Sequence, residues 1–150
     1  MTLWIDADAC PVVIRDIMVR AAERTRQPLV LVANQIIRIP PSPLIRRVQV
    51  DNTPDAADHW IAEHAEAGDL VITADIPLAA RLVPNQVSVL TPRGEALTAN
   101  IIGERLSVRD FMDGLRSAGI QTGGPAPMSA ADRQQFANAL DRWLRQHVVS

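Results

Sequence analysis

Five aspartates stand where apolar runs give way to turns or helix starts. Asp6 and Asp8 lie in Ile-Asp-Ala-Asp-Ala-Cys-Pro, Asp55 and Asp58 in Thr-Pro-Asp-Ala-Ala-Asp-His, and Asp75 in Thr-Ala-Asp-Ile-Pro. Carboxylates gathered in one place repel and raise each other's pKa unless a cation joins them. A donor set made only of oxygen suits a hard ion, Mg²⁺ or Mn²⁺, rather than zinc. No CxxC or HExxH pattern is present; His59 and His64 are five apart on one predicted helix and His147 is near the end, so the histidines offer no site of their own. The chemistry this set predicts is metal-dependent hydrolysis of a phosphodiester. Two ions about 4 Å apart would stabilise the attacking water and the leaving oxygen. Asp6 and Asp75 would hold metal directly, and Asp8, Asp55 and Asp58 would hold ions or their waters. Asp6, Asp8 and Asp75 are the expected catalytic residues.

Each acid also has a plainer reading. Asp8 would serve as a cap for the first helix, Asp55 would favour a helix N-terminus through the dipole, and Asp75 would be another cap. Cys10 sits beside the acids, but a small buried residue without a basic neighbour in the sequence is a poor nucleophile. Arg38, Arg46 and Arg47 lie in the expected connection leaving the second strand, after Asn34. A guanidinium there would hold a phosphate while the metals polarise it, so these four are the expected phosphate or nucleic-acid contacts. The plainer alternative is a solvated loop. Trp60, Phe136 and Trp143 fall on apolar helix stripes and are expected in the core. With no tyrosine in the chain, stacking on single-stranded bases is poorly supported.

The elements that must position these residues alternate. A short strand over residues 2–5 precedes a helix over about 12–24, opened by Pro11 and carrying Val13, Ile17 and Ala21 at helical spacing. Strands follow at 29–33 and, beyond a proline-rich stretch, at 48–50. Thr53-Pro54 is expected to start a second helix bearing Ala57, Trp60, Ile61 and Ala65, closed by Gly68. A fourth strand over 70–73, a short helix over about 77–82 and a fifth strand over 87–90 complete a parallel α/β sheet. Ser107 and Asp110 have capping-box spacing ahead of a stripe of Val108, Phe111, Met112 and Leu115. The Gly- and Pro-rich residues 119–128 read as a loop, and Ser129 with Asp132 opens a last helix with Phe136, Leu140, Trp143 and Leu144. In an open parallel sheet, ligands bind beyond the carboxyl ends of the strands. The acids therefore meet only if strands one and four are neighbours.

Composition bounds the rest. The chain has 150 residues, 47% hydrophobic and 21% charged, and one cysteine, which fits a globular protein of a reducing, cytoplasmic compartment. The first residues do not read as a signal peptide, and no run approaches the roughly 20 apolar residues of a membrane span. Every basic side chain among the 15 is arginine, which removes mechanisms needing an amine. A net charge of −2 conceals seven arginines against Asp16 and Glu23 in residues 15–47, followed by seven acids and no arginine in 51–75. A basic surface beside an acidic site is thus expected. One domain is predicted, with no repeat.

The stretches IDADACP, TPDAADHWI, DLVITADIPLA, LSVRDFMDGLR and the GGPAP loop followed by DRQQFANALD resemble the YaiI/YqxD family of uncharacterised bacterial proteins. The likeness covers nearly the whole chain. That family is similar in its first part to PIN-like nuclease domains, which implies a three-layer α/β/α fold with a mainly parallel sheet of about five strands and acids binding Mg²⁺ or Mn²⁺. The resemblance puts Asp6 after strand one, Asp58 in a central helix and Asp75 after strand four, with Asp8 and Asp55 as supporting ligands. It implies a PIN-like part over residues 1–94, with residues 95–150 as a helical extension packed on it that has no clear PIN counterpart. The implied partner is RNA or another nucleic acid. Asp6-Ala7-Asp8 is also similar to the nucleophile motif of haloacid-dehalogenase-like phosphatases, with Asp6 forming the aspartyl phosphate. That mechanism usually employs a lysine, which this chain lacks. A third reading is a non-catalytic, metal- or RNA-binding regulatory module, since fold does not fix function.

Overall fold

The computed structural model describes residues 1–53, 55–117 and 128–148, with the side chains of 109–117 outside that description. Five strands, β1 (Leu3–Asp6), β2 (Leu29–Ala33), β3 (Ile45–Gln49), β4 (Leu70–Ile72) and β5 (Ser88–Leu90), pair in parallel in the order β3-β2-β1-β4-β5. The helices are α1 (Val12–Thr25), α2 (Ala56–His64), α3 (Ile76–Leu82), α4 (Ala99–Ser117) and α5 (Ala130–His147). The architecture is the three-layer α/β/α sandwich that the family resemblance implies, built on the parallel sheet expected from the alternation. Strands one and four are side by side, with Ile5 opposite Ile72.

Alternation along the strands builds two apolar layers. Leu3, Ile5, Leu29, Leu31, Leu70, Ile72 and Leu90 face one side, where α1 and α5 cover them through Ile14, Met18, Phe136, Leu140 and Leu144. Trp4, Val30, Val32, Val71 and Val89 face the other, with Ile61, Leu78, Leu82 and Ile102 from α2, α3 and α4. Burial of both faces is why these strands read as continuous apolar runs. The two C-terminal helices thus complete opposite outer layers. No helix among the described residues is long and apolar enough to cross a membrane.

Several expectations need correction. β3 is Ile45–Gln49, not 48–50, and it includes Arg46 and Arg47. As an edge strand it leaves Arg46, Arg47 and Gln49 exposed, and such charge guards an edge against further pairing. α2 ends at His64 with Ala65 extended, so Gly68 does not close it; Gly68, at φ 92°, shapes the turn into β4 instead. α4 begins a full eight residues before Ser107, where Thr98 supplies its carbonyl to Ile102 N–H and its hydroxyl to Ile101 N–H. Ser107 is therefore mid-helix, donating its hydroxyl to the Gly103 carbonyl, and Val108 is 56% exposed rather than on an apolar stripe. In α1 the buried face is Ile14, Met18, Ala21 and Ala22, one position on from Val13 and Ile17, which are half-buried. Most of the predicted 119–128 loop lies outside the described residues. The predicted start of α5 holds: Ser129 accepts from Asp132 N–H at 3.1 Å while Asp132 accepts from Ser129 N–H at 2.9 Å.

Candidate functional site

The sheet order reverses at β1, since the chain continues to β2 on one side and β4 pairs on the other. Such a switch point opens a crevice at the carboxyl ends. Here that crevice is a cleft of about 270 Å³ lined by Asp6, Asp8, Asn34, Asp51, Asp55, Asp58 and Asp75 among others. All five predicted acids meet there, and Asn34 with them. Among its lining residues none is basic.

Asp6 ends β1 and is only 7% exposed. Because Ile5 pairs with Ile72, Asp6 lies level with Thr73, whose hydroxyl donates to its carboxylate at 3.5 Å. The same Thr73 oxygen accepts from Asp75 N–H at 3.1 Å. Asp75 in turn accepts from Leu78 N–H at 2.8 Å and so caps α3, as the plainer reading held. Asp58, in the first turn of α2, lines the cleft with Asp75 and Asp6, close enough for their charges to act on it. Asp8 occupies the single tight turn Ala7–Ala9 and accepts from Asn34 N–H at 2.6 Å, tying the ends of β1 and β2 together. It does not cap α1, whose N-cap is Pro11. Asp55 precedes α2 with φ 65° and makes no capping bond, leaving its carboxylate to the cleft.

The crowding raises the pKa of two of these acids. Burial, with the charges of Asp8 and Asp75, lifts the Asp6 carboxyl to about 6. Burial and the neighbouring Asp75, Asp6 and Asp55 lift Asp58 to about 7. Raised pKa values at Asp6 and Asp58 are the response of crowded carboxylates that lack a compensating cation. Among the described residues, no three His, Cys, Asp or Glu side chains are already set to grasp a metal ion. The donor chemistry nevertheless fits a hard divalent ion: oxygen only, net negative, and with one donor, Asp6, buried.

The predicted basic contacts divide. Asn34 is in the cleft. Arg38 is in the β2–β3 connection, but Arg46 and Arg47 belong to β3 itself, opposite Val30 and Leu31, and not to the connection. None of the three arginines lines the acidic cleft. Arg47 donates to the Ile37 carbonyl at 2.7 Å and so holds that connection in place. Cys10 is buried, its thiol pushed up to about 12 chiefly by burial, so it is no thiolate nucleophile. Asp51 also lines the cleft and was not among the predicted acids. Its place two residues past the end of β3 was the available signal.

The pattern of the uncharacterised bacterial YaiI/YqxD family matches residues 4–146. The chain is similar to a UPF0178 protein of Bordetella petrii, 64% identical over 144 residues that cover 96% of each chain. It is similar also to the UPF0178 protein YaiI of Escherichia coli O1:K1 / APEC, 58% identical over 95% of this chain and 94% of that one. A UPF0178 protein of Aeromonas hydrophila is 55% identical over the full length of both. No solved structure gives a significant match.

Proposed function

The chain belongs to the YaiI/YqxD family, and we propose that it is a Mg²⁺- or Mn²⁺-dependent phosphodiesterase acting on RNA or another nucleic acid. The observation that carries this reading is the convergence of Asp6, Asp58 and Asp75 on one cleft at the switch point, with no basic residue among its described lining. Acids held together against their own repulsion are a standing demand for positive charge.

A hard divalent ion, when bound, supplies charge that polarises the phosphoryl oxygens. The chain's own residues do the rest. Asp6 and Asp75 would hold the ion, and Asp75 keeps one oxygen on Leu78 N–H, so that its orientation is fixed. Asp58 would serve as a further ligand in its carboxylate form, since metal ligands must be deprotonated. Asp8, oriented by Asn34 N–H, and Asp55 at the cleft mouth position water. A phosphatase that uses Asp6 as its nucleophile has less support, since among the described residues no basic side chain lines the cleft to meet the phosphoryl group. A single buried thiol suits the reducing cytoplasm and belongs to the same reading.

Calorimetric titration of Mn²⁺ into the wild type and Asp75→Asn tests the reading, followed by cleavage of labelled RNA and DNA. Binding that is lost in the variant, with metal-dependent cleavage lost alongside, is expected. A wild type that binds no Mn²⁺, or an Asp75→Asn protein with full cleavage, overturns it.

A further inference from the structure

A second cleft, of about 630 Å³, runs between α1 and the β2–β3 connection. Its walls carry Arg15, Arg20 and Arg38 against a single acid, Asp16. Other arginines of the chain are already engaged: Arg24 pairs with Asp141, Arg105 with Glu95, and Arg81 with His59. Among the described residues, Arg15, Arg20 and Arg38 make no hydrogen bond or ion pair. The Nε of Arg15 is buried with no hydrogen-bond partner. Apolar surface accompanies the charge, with Val12 60% exposed and Ile36 72% exposed at the rim.

The two clefts adjoin. Ala9 lines the acidic one and Val12 the basic one; Asn34 lines the first and Ile36 the second. Residues two or three apart in the chain are within about 11 Å of each other. A ligand carrying successive phosphates would therefore keep one at the acids while the next ones met guanidinium groups, and its sugars and bases would rest on Val12, Ile36 and the neighbouring apolar wall. The groove is bounded by α1 on one side and by the β2–β3 connection on the other.

We propose that this groove is the strand-binding site for single-stranded nucleic acid, with Arg15, Arg20 and Arg38 holding the phosphodiester backbone next to the acidic cleft. The assignment rests on the phosphodiesterase reading for its substrate class, but the groove's binding is separable from metal and from cleavage. The test is fluorescence anisotropy with labelled 12-nucleotide RNA and DNA single strands of one sequence, in EDTA, across a salt series. The proteins compared are wild type, Arg15→Gln/Arg38→Gln and a charge-matched control, Arg133→Gln/Arg142→Gln on α5.

The groove variant is expected to bind at least tenfold more weakly, and its slope of log affinity against log salt should be shallower by about 1.4, the value for two lost single-strand phosphate contacts. The control should bind as the wild type does. Equal binding by the groove variant and the wild type overturns the assignment, as does a wild type that binds neither strand at low salt. Tight binding through the groove without any cleavage in Mn²⁺ would sustain the groove and overturn the catalytic reading alone. Matched circular dichroism spectra of the variants exclude unfolding as the cause of a loss.

Discussion

Asp6 and Asp58 carry protons well above the pH at which an ordinary aspartate sheds them, and the sign of the consequence is definite. Their folded pKa values, about 6 and about 7, exceed the unfolded value near 3.8. The native state therefore holds more protons than the unfolded chain between about pH 4 and 7, and stability from this cluster is lost as pH rises through that window. In EDTA the melting temperature of the wild type should fall relative to that of Asp6→Asn between pH 5 and pH 8. The difference for buried Asp6 is on the order of 2 kcal/mol, while half-exposed Asp58 contributes less because solvent screens it. Mn²⁺ at pH 8 should recover the loss in the wild type and not in the variant; parallel pH curves for the two proteins would show that the loss does not arise from Asp6. Cys10 leads to an opposite expectation. Buried, with its thiol near 12, it should resist iodoacetamide at pH 8 in the native protein and react only after unfolding. Cys10→Ala should leave any metal-dependent activity unchanged, and a loss of activity would return the thiol to the mechanism. These residue types and their places were readable from the sequence, but the convergence of Asp58 with Asp6 and Asp75 was not, because it depends on strand order and on the angle at which α2 enters.

The elements are tied by a few contacts at their ends. Asp69, just before β4, is buried at the end of the sheet away from the acids and accepts three bonds: from Thr2 N–H at 2.8 Å, Trp4 Nε1 at 3.0 Å and Glu66 N–H at 2.9 Å. Asp69→Ala leaves these donors without their partner and should cost about 2–4 kcal/mol in urea unfolding. Mn²⁺ affinity of the folded protein should be unchanged, since this residue is remote from the cleft. Gly94 does the corresponding work for α5. Its φ is +86°, and a Cβ would stand 2.7 Å from the Gln135 backbone carbonyl and 2.8 Å from Phe136 N. Gly94→Ala must push α5 off its seat and should destabilise by about 2 kcal/mol or more; an unchanged urea midpoint would show that α5 is held elsewhere. Strongly apolar elements were legible in advance, such as β1, β2 and the core stripe of α5. Elements whose exposed residues dominate were not. β3 is polar because it is an edge, and the start of α4 was missed because Thr98 signals a cap less obviously than the serine nine residues later.

At the scale of the whole molecule, the placement of the last helix decides what counts as core. The resemblance to PIN-like domains sets residues 95–150 apart as an extension, yet α4 packs beside α3 on one face of the sheet and α5 covers β1, β2 and α1 on the other. The alternation of strands and helices revealed the sheet, and the apolar stripe of α5 revealed that it must be buried. Neither could say against which face, because that is a matter of crossings that no local pattern encodes. The energetic consequence is large. Phe136, Leu140, Trp143 and Leu144 are all at most 8% exposed, and each such side chain contributes roughly 1.5–3 kcal/mol by leaving water. Together they rival the whole net stability of a domain, about 5–15 kcal/mol. A chain ended at residue 128 would expose the sheet face formed by Leu3, Ile5, Leu29 and Leu31 beside α1. It should bind a hydrophobic dye, lose near-ultraviolet dichroism and melt without a cooperative transition. With the switch-point crevice no longer fixed, it should also fail to bind Mn²⁺, although every acid of the cleft lies within the retained residues. A truncated chain that melts cooperatively and titrates Mn²⁺ as the full chain does would make α5 a true appendage. The acids would then be organised by residues 1–128 alone, and the role of the last helix would have to be sought on its exposed face.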